Sequence, residues 1–126
     1  MQRFLLHDLI VRLQPCGKMY QRTLDGYEKA WGPEHISTLI TVSNLGNLYK
    51  NQGKLDEAEK MYQRALDGYE KAWGPGHTST LATVHNLGNL YTNQGKLDEA
   101  EKMYRRALMA IRSLEIIRQH SSLVAT

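Results

Sequence analysis

Residues 18–59 read KMYQRTLDGYEKAWGPEHISTLITVSNLGNLYKNQGKLDEAE, and residues 60–101 read KMYQRALDGYEKAWGPGHTSTLATVHNLGNLYTNQGKLDEAE. These 42-residue stretches differ at six positions: Thr23/Ala65, Glu34/Gly76, Ile36/Thr78, Ile40/Ala82, Ser43/His85 and Lys50/Thr92. A third copy opens at Lys102 as KMYRRAL and loses the pattern after Leu108. Self-similarity at a fixed period of this length implies a stacked array in which each unit touches its neighbours. Arrays of this kind usually bind other chains. The repeat therefore indicates a class of function and leaves the client open.

A chain of 126 residues would ordinarily form one globular domain, but the repeat argues for a one-dimensional stack. A hydrophobic content of 41% is enough for a continuous core. The net charge of +3 is unevenly placed: each full copy carries −1, residues 1–17 carry +1 and residues 102–126 carry +4. A nucleic-acid surface would be expected to recur with the repeat, so nucleic acid is not an expected partner. Cys16 is the single cysteine, which excludes an intrachain disulfide and suits a reducing, cytoplasmic setting. No apolar run approaches the roughly 18 residues of a membrane span. The opening MQRFLLHDLIVRL is interrupted by His7, Asp8 and Arg12. It reads as a fraying or truncated helix rather than a signal peptide.

Within one copy, two helices alternate with two turns. Pro33 precedes the first helix, expected from His35 to Gln52, and Gly53 follows it as a left-handed stop. With Ile40 at 0° and about 100° per residue, Thr38, Val42, Leu45 and Tyr49 form one stripe. Gly46 lies beside that stripe, and a glycine inside a helix implies a neighbouring backbone packed close. The second helix is expected from Leu55 to Trp73, with Asp56, Glu57 and Glu59 at its positive end. Leu55, Ala58, Tyr62, Ala65, Tyr69 and Ala72 make its seam. Gly68 is its weak point, yet Tyr69 and Trp73 keep the phase to the Trp73-Gly74-Pro75 turn.

Leu45, Gly46, Tyr49, Ala58, Tyr62 and Ala65 resemble the tetratricopeptide repeat signature, and Leu87, Gly88, Tyr91, Ala100, Tyr104 and Ala107 repeat it in register. The 42-residue spacing with its Gly-Pro-x-His turn is similar to the kinesin light chain-like branch, and the wording to arrays in fungal NOD-like receptor proteins. Val42 and Val84 stand where the usual signature has Trp. The resemblance covers about residues 12–111. It implies an all-α fold: an α-solenoid of stacked antiparallel helix pairs in a right-handed superhelix, without a sheet.

The expected helices are 14–31, 35–52, 55–73, 77–94 and 97–118. Residues 1–13 stand apart as a poorly matched segment, 14–118 form the array, and 119–126 form a tail. Leu13, Cys16, Tyr20 and Thr23 align with Leu55, Ala58, Tyr62 and Ala65, so helix 14–31 is a second helix without its partner. Cys16 is then a small packing residue. Ile111, Leu114 and Ile117 extend the apolar content of the last helix. Two full units fall short of the three or so repeats and polar caps that stable arrays need. Self-association through the ends, or residues 1–13 folding back as a cap, is expected.

The chain carries no phosphate-binding glycine loop and no cofactor motif. His35 and His77 lie a full repeat apart and read as turn residues, so no metal site is expected. Asp56-Glu57 recurs at a helix start, where capping accounts for it better than acid–base work. No catalytic residue is assigned, and an enzyme is not expected.

Asn44, Asn47 and Asn51 form a column opposite the core stripe, repeated as Asn86, Asn89 and Asn93. Asparagine is a poor helix former, so helix stability does not explain the column. The resemblance implies that this face lines a concave groove, where amides would hold an extended backbone through donor and acceptor alike. The alternative is that the amides are solvated or bond to a neighbouring repeat. Four of the six differences lie beside the column: Ile36/Thr78, Ile40/Ala82, Ser43/His85 and Lys50/Thr92. Outer residues Gln63, Arg64 and Lys71 are unchanged from Gln21, Arg22 and Lys29. This contrast points to Ile40, Ser43, Lys50, Ala82, His85 and Thr92 as selectors of a protein or peptide partner.

Overall fold

The computed structural model describes the backbone of residues 2–124 and the side chains of residues 17–120. Five helices follow one another: α1 (Gln2–Trp31), α2 (Ile36–Asn51), α3 (Leu55–Trp73), α4 (Thr78–Asn93) and α5 (Leu97–Val124). No strand occurs among the described residues. The chain divides into two compact units, Met1–Gly68 and Tyr69–Thr126. In the first, α1 packs against α2; in the second, α4 packs against α5.

Both corner types are built from the repeated residues. After α1, the Gly32 carbonyl accepts from the buried Thr38 hydroxyl at 2.9 Å, and His35 Nδ1 caps α2 by accepting from the Ser37 N–H at 3.2 Å. The Trp31 and His35 rings lie 4.9 Å apart. The second copy repeats each contact: Thr80 to the Gly74 carbonyl at 2.9 Å, Ser79 N–H to His77 Nδ1 at 3.1 Å, and Trp73 against His77 at 4.1 Å. The histidines are thus N-caps, a role usually filled by short oxygen side chains. At the other corner, Gly53 and Gly95 adopt φ of 79° and 77°, and Lys54 and Lys96 return their N–H groups to the Tyr49 and Tyr91 carbonyls at 2.8 Å. This left-handed glycine ends the helix with its last carbonyls bonded.

The core is wider than the expected stripe. Thr38, Val42 and Leu45 are buried as read, but so are Leu39, Thr41 and Leu48, while Tyr49 is only half-buried. α2 packs against α1 and also receives Tyr62 from α3, so it is covered on two sides. A single stripe describes a helix with one neighbour.

Four expectations are corrected. A Cβ at Gly46 would lie 2.8 Å from the Tyr62 ring, and one at Gly88 2.7 Å from the Tyr104 ring. The close neighbour is therefore an aromatic side chain and not a backbone. Gly68 is no weak point, because the Leu39 side chain fills the space a Cβ would need. Ala72 is exposed and leaves the seam at Tyr69. The end helices are longer than 14–31 and 97–118. Leu5, Leu6, Leu9, Ile10 and Leu13 keep helical spacing, so α1 runs unbroken from Gln2 through Pro15, and residues 2–13 do not fold back. α5 continues because Glu115-Ile116-Ile117 replaces Trp73-Gly74-Pro75, removing the stop. The side chains of Leu13 and Cys16, including the packing role expected of the thiol, lie outside the described residues.

Candidate functional site

On α2, Ile40, Asn44, Asn47 and Asn51 are exposed, and Ser43 and Lys50 are half-buried. On α4, Ala82, His85, Thr92 and Asn93 are exposed, and Asn86 and Asn89 are half-buried. The column therefore lies on the less buried side of both helices, yet its members differ in role. The Tyr62 hydroxyl donates to Asn47 Oδ1, and the Tyr104 hydroxyl donates to Asn89 Oδ1 at 2.7 Å. Tyr62 is buried, and desolvation pushes its phenol above the ordinary 10.0. A buried phenol needs an acceptor, and Asn47 supplies it. Those two amides use their oxygens inside the fold and offer only their NH₂ groups outward. The fifteen-residue spacing Asn47–Tyr62, repeated as Asn89–Tyr104, is the sequence signal for this pairing.

In the first unit, α1 and α2 enclose a cleft of about 480 Å³ that brings Tyr20, Thr23 and Tyr27 against Ile40, Thr41 and Asn44. Met19 and Ser37 complete it. The sequence singles out Ile40, Asn44 and the uncovered α1 face with Tyr20 and Thr23; it gives no sign of Met19, Ser37 and Thr41. Thr41 turns its hydroxyl to the Ser37 carbonyl at 2.9 Å, and Thr23 does the same to Met19 at 2.9 Å. The cleft wall is consequently more apolar than its residue names suggest.

None of the other candidate residues, Ser43, Lys50, Ala82, His85 and Thr92, lines that cleft. Ser43 Oγ is buried without a hydrogen-bond partner among the described residues. The His85 ring lies 6.0 Å from Tyr104, and Thr92 donates to the Gly88 carbonyl at 2.9 Å. The contrast with the unchanged outer residues weakens. Arg64 pairs with Glu28, Arg106 repeats that pair with Glu70, and Gln63 and Lys71 also have partners. These outer residues are therefore not simply idle surface, and their identity between copies is no measure of drift on the α2 and α4 face.

The sequence profile of the tetratricopeptide repeat family matches residues 12–71 and 37–113. The chain belongs to the tetratricopeptide repeat family. No curated protein matches it. Among solved structures, BtubC (BKLC) from P. vanneervenii is similar at 24% identity and a TM-score of 0.76, over 81% of this chain and 40% of that one. Nearly identical TPR-like repeats from Podosopora anserina, named for kinesin light chain, are similar at 23% identity and a TM-score of 0.70. That match covers 82% of this chain and 52% of the other, so the chain spans about half or less of the length of these relatives. A point variant of the Podosopora anserina repeats gives 23% identity and a TM-score of 0.71, with the same coverage of both chains. The protein is thus an all-α tetratricopeptide repeat chain with the solenoid class of fold, and that fold is similar to the kinesin light chain-like repeats just named.

Tetratricopeptide repeats bind protein partners and generally act as scaffolds without chemistry of their own. Among the described residues no group of three or more His, Cys, Asp or Glu could hold a metal, and no helix is long and apolar enough to cross a membrane.

Proposed function

We propose that this chain is a cytoplasmic, non-catalytic adaptor that holds a partner segment along the exposed face of its first helices. One observation carries this reading: the α1–α2 cleft combines an apolar floor of Tyr20, Tyr27 and Ile40 with the amide of Asn44 at its edge. A cleft with an apolar wall and few polar groups suits a partner side chain, and an amide beside it suits a partner backbone. In the first unit Asn51 adds a further amide, with Ser43 and Lys50 varying the surface; in the second unit Asn86 and Asn93 supply amides of their own, with Ala82, His85 and Thr92 as the variable residues. Asn47 and Asn89 take part only through their NH₂ groups.

The test is selection of binders from a random peptide library by the intact chain, followed by titration of the selected peptide. Ile40→Asp with Asn44→Ala should weaken that peptide by about 1–3 kcal/mol with helicity unchanged. Full binding by the double variant would move the partner to another face.

A second reading is self-association through the end helices. It is favoured by the exposure of Leu108, Met109, Ile111, Leu114, Ile116 and Ile117 on the last helix. So many large apolar side chains over ten residues exceed what a monomer surface ordinarily carries.

A further inference from the structure

We propose that the C-terminal part of α5 is a homodimerisation helix, and that two copies pair antiparallel about Ser113. This rests on the self-association reading and names its surface and geometry.

In the second unit an apolar groove of about 650 Å³ runs between the Pro75-Gly76 corner and Met109, Ser113, Leu114 and Ile117 of α5. Both walls depart from the repeat to create it. Gly76 stands where the first copy has Glu34, and Met109, Ser113 and Leu114 stand where α3 has Asp67, Lys71 and Ala72. Three charged residues are thereby lost from one surface. The replacements also fit one another, because a Cβ at residue 76 would come within 3.1 Å of Leu114 Cδ1. A copy that had merely lost its pattern would not build a new mutual contact.

The occupant follows from the helix itself. With Leu108 at 0°, Ile116, Met109, Ser113, Ile117 and Ala110 fall between about 80° and 200°, whereas Arg112 and Glu115 fall near 40° and 340°. The face is apolar over this stretch, with the small Ser113 at its centre and Ala110 at its edge. Lys102, Arg105 and Arg106 line the N-terminal end of the groove and already pair with Glu99, Glu101 and Glu70, so the groove does not call for an acidic partner. Antiparallel pairing centred on Ser113 sets Met109 over the second copy's Ile117 and Ala110 beside its Ile116. The two serines permit close approach. A twofold contact of this kind is self-complementary by construction.

Met109 is 69% exposed and Ile117 61% exposed. Each copy would bury on the order of 500 Å², near the lower limit of specific interfaces, which predicts a weak, concentration-dependent dimer. Glu115-Ile116-Ile117 occupies the place of Trp-Gly-Pro, so α5 runs on where a further helix would otherwise turn back over it.

The full chain is examined by sedimentation equilibrium and by disulfide trapping in a Cys16→Ser background. Ser113→Cys should give a disulfide-linked dimer on oxidation, and Arg112→Cys, off the face, should give little. Met109→Asp restores the residue type that α3 carries as Asp67, and should raise the dimer Kd at least about tenfold while circular dichroism is unchanged. Should Met109→Asp perturb the helix, Ile117→Lys and the trapping yield decide. Raising salt to about 0.5 M should not weaken the dimer, because no ion pair crosses the contact.

A chain that stays monomeric at about millimolar concentration overturns both this proposal and the reading beneath it. A dimer indifferent to Met109→Asp and to the choice of trapping site, yet dissociated by Tyr27→Asp, keeps the reading and overturns this geometry. A monomer whose groove instead takes up an apolar peptide, with loss on Met109→Asp, assigns the surface to another chain and also overturns it.

Discussion

Leu66 in α3 and Leu108 in α5 occupy the same place in the repeat, after LDEAEKMYQRA in one and LDEAEKMYRRA in the other. Leu66 is 4% exposed and Leu108 is 61% exposed. Leu24, the equivalent in α1, is 3% exposed, and α1 is followed by α2 packed against it. No helix follows α5 among the described residues. The same leucine in almost the same local sequence is therefore buried in α1 and α3 and exposed in α5, so its burial is not a property of the residue or its helix alone.

The largest effect should come from this pair. Leu66→Ala should cost about 2–5 kcal/mol in urea unfolding, and Leu108→Ala less than about 0.5 kcal/mol. Equal losses would break the comparison. Next, the two glycine seats should separate in the same direction. Gly46→Leu should cost about 1–3 kcal/mol through overpacking, since Tyr62 is buried and tied to Asn47. Gly88→Leu should cost less, because Tyr104 is half-buried and has room to yield.

Removing the acceptors sharpens the contrast further. Asn47→Ala leaves a buried hydroxyl unpaired and should cost about 1–2 kcal/mol, with partial recovery when combined with Tyr62→Phe. Asn89→Ala should cost less, as water can reach the Tyr104 hydroxyl. Thermal unfolding of these variants is the measurement.

The smallest effect is in alkali. The folded chain holds the Tyr62 proton more tightly than the unfolded chain, whose phenol titrates near 10.0. Above that pH the unfolded state binds fewer protons than the native state, so stability falls as pH rises; below it the contribution is fully present. Unfolding followed between about pH 9 and 11 should show this slope, and Tyr62→Phe should lessen it.

Much of the fold was legible because period, turn residues and helical spacing are local or nearly so. The Gly53 stop, the acidic start of α3 and the Thr38-Val42-Leu45 stripe were each readable within a few residues. The candidate site was legible only as a face. Asn44 and Asn47 carry the same amide three residues apart, yet one edges a cleft and the other accepts from Tyr62. Spacing along one helix does not tell which side chain a second helix will bring opposite. Arg64 shows the same limit, since its partner Glu28 lies thirty-six residues away in the chain.

By itself the sequence determined the period, the order of helices, the glycine stops and the family, because these follow from residue chemistry acting over one or two turns. Tertiary structure alone decided that Gly46 and Gly88 seat tyrosine rings, that Gly68 makes room for Leu39, that Gly76 receives Leu114, and that Leu66 is covered where Leu108 is bare. Each of these depends on what surrounds the residue in three dimensions, and an almost perfect repeat writes the same residues in different surroundings.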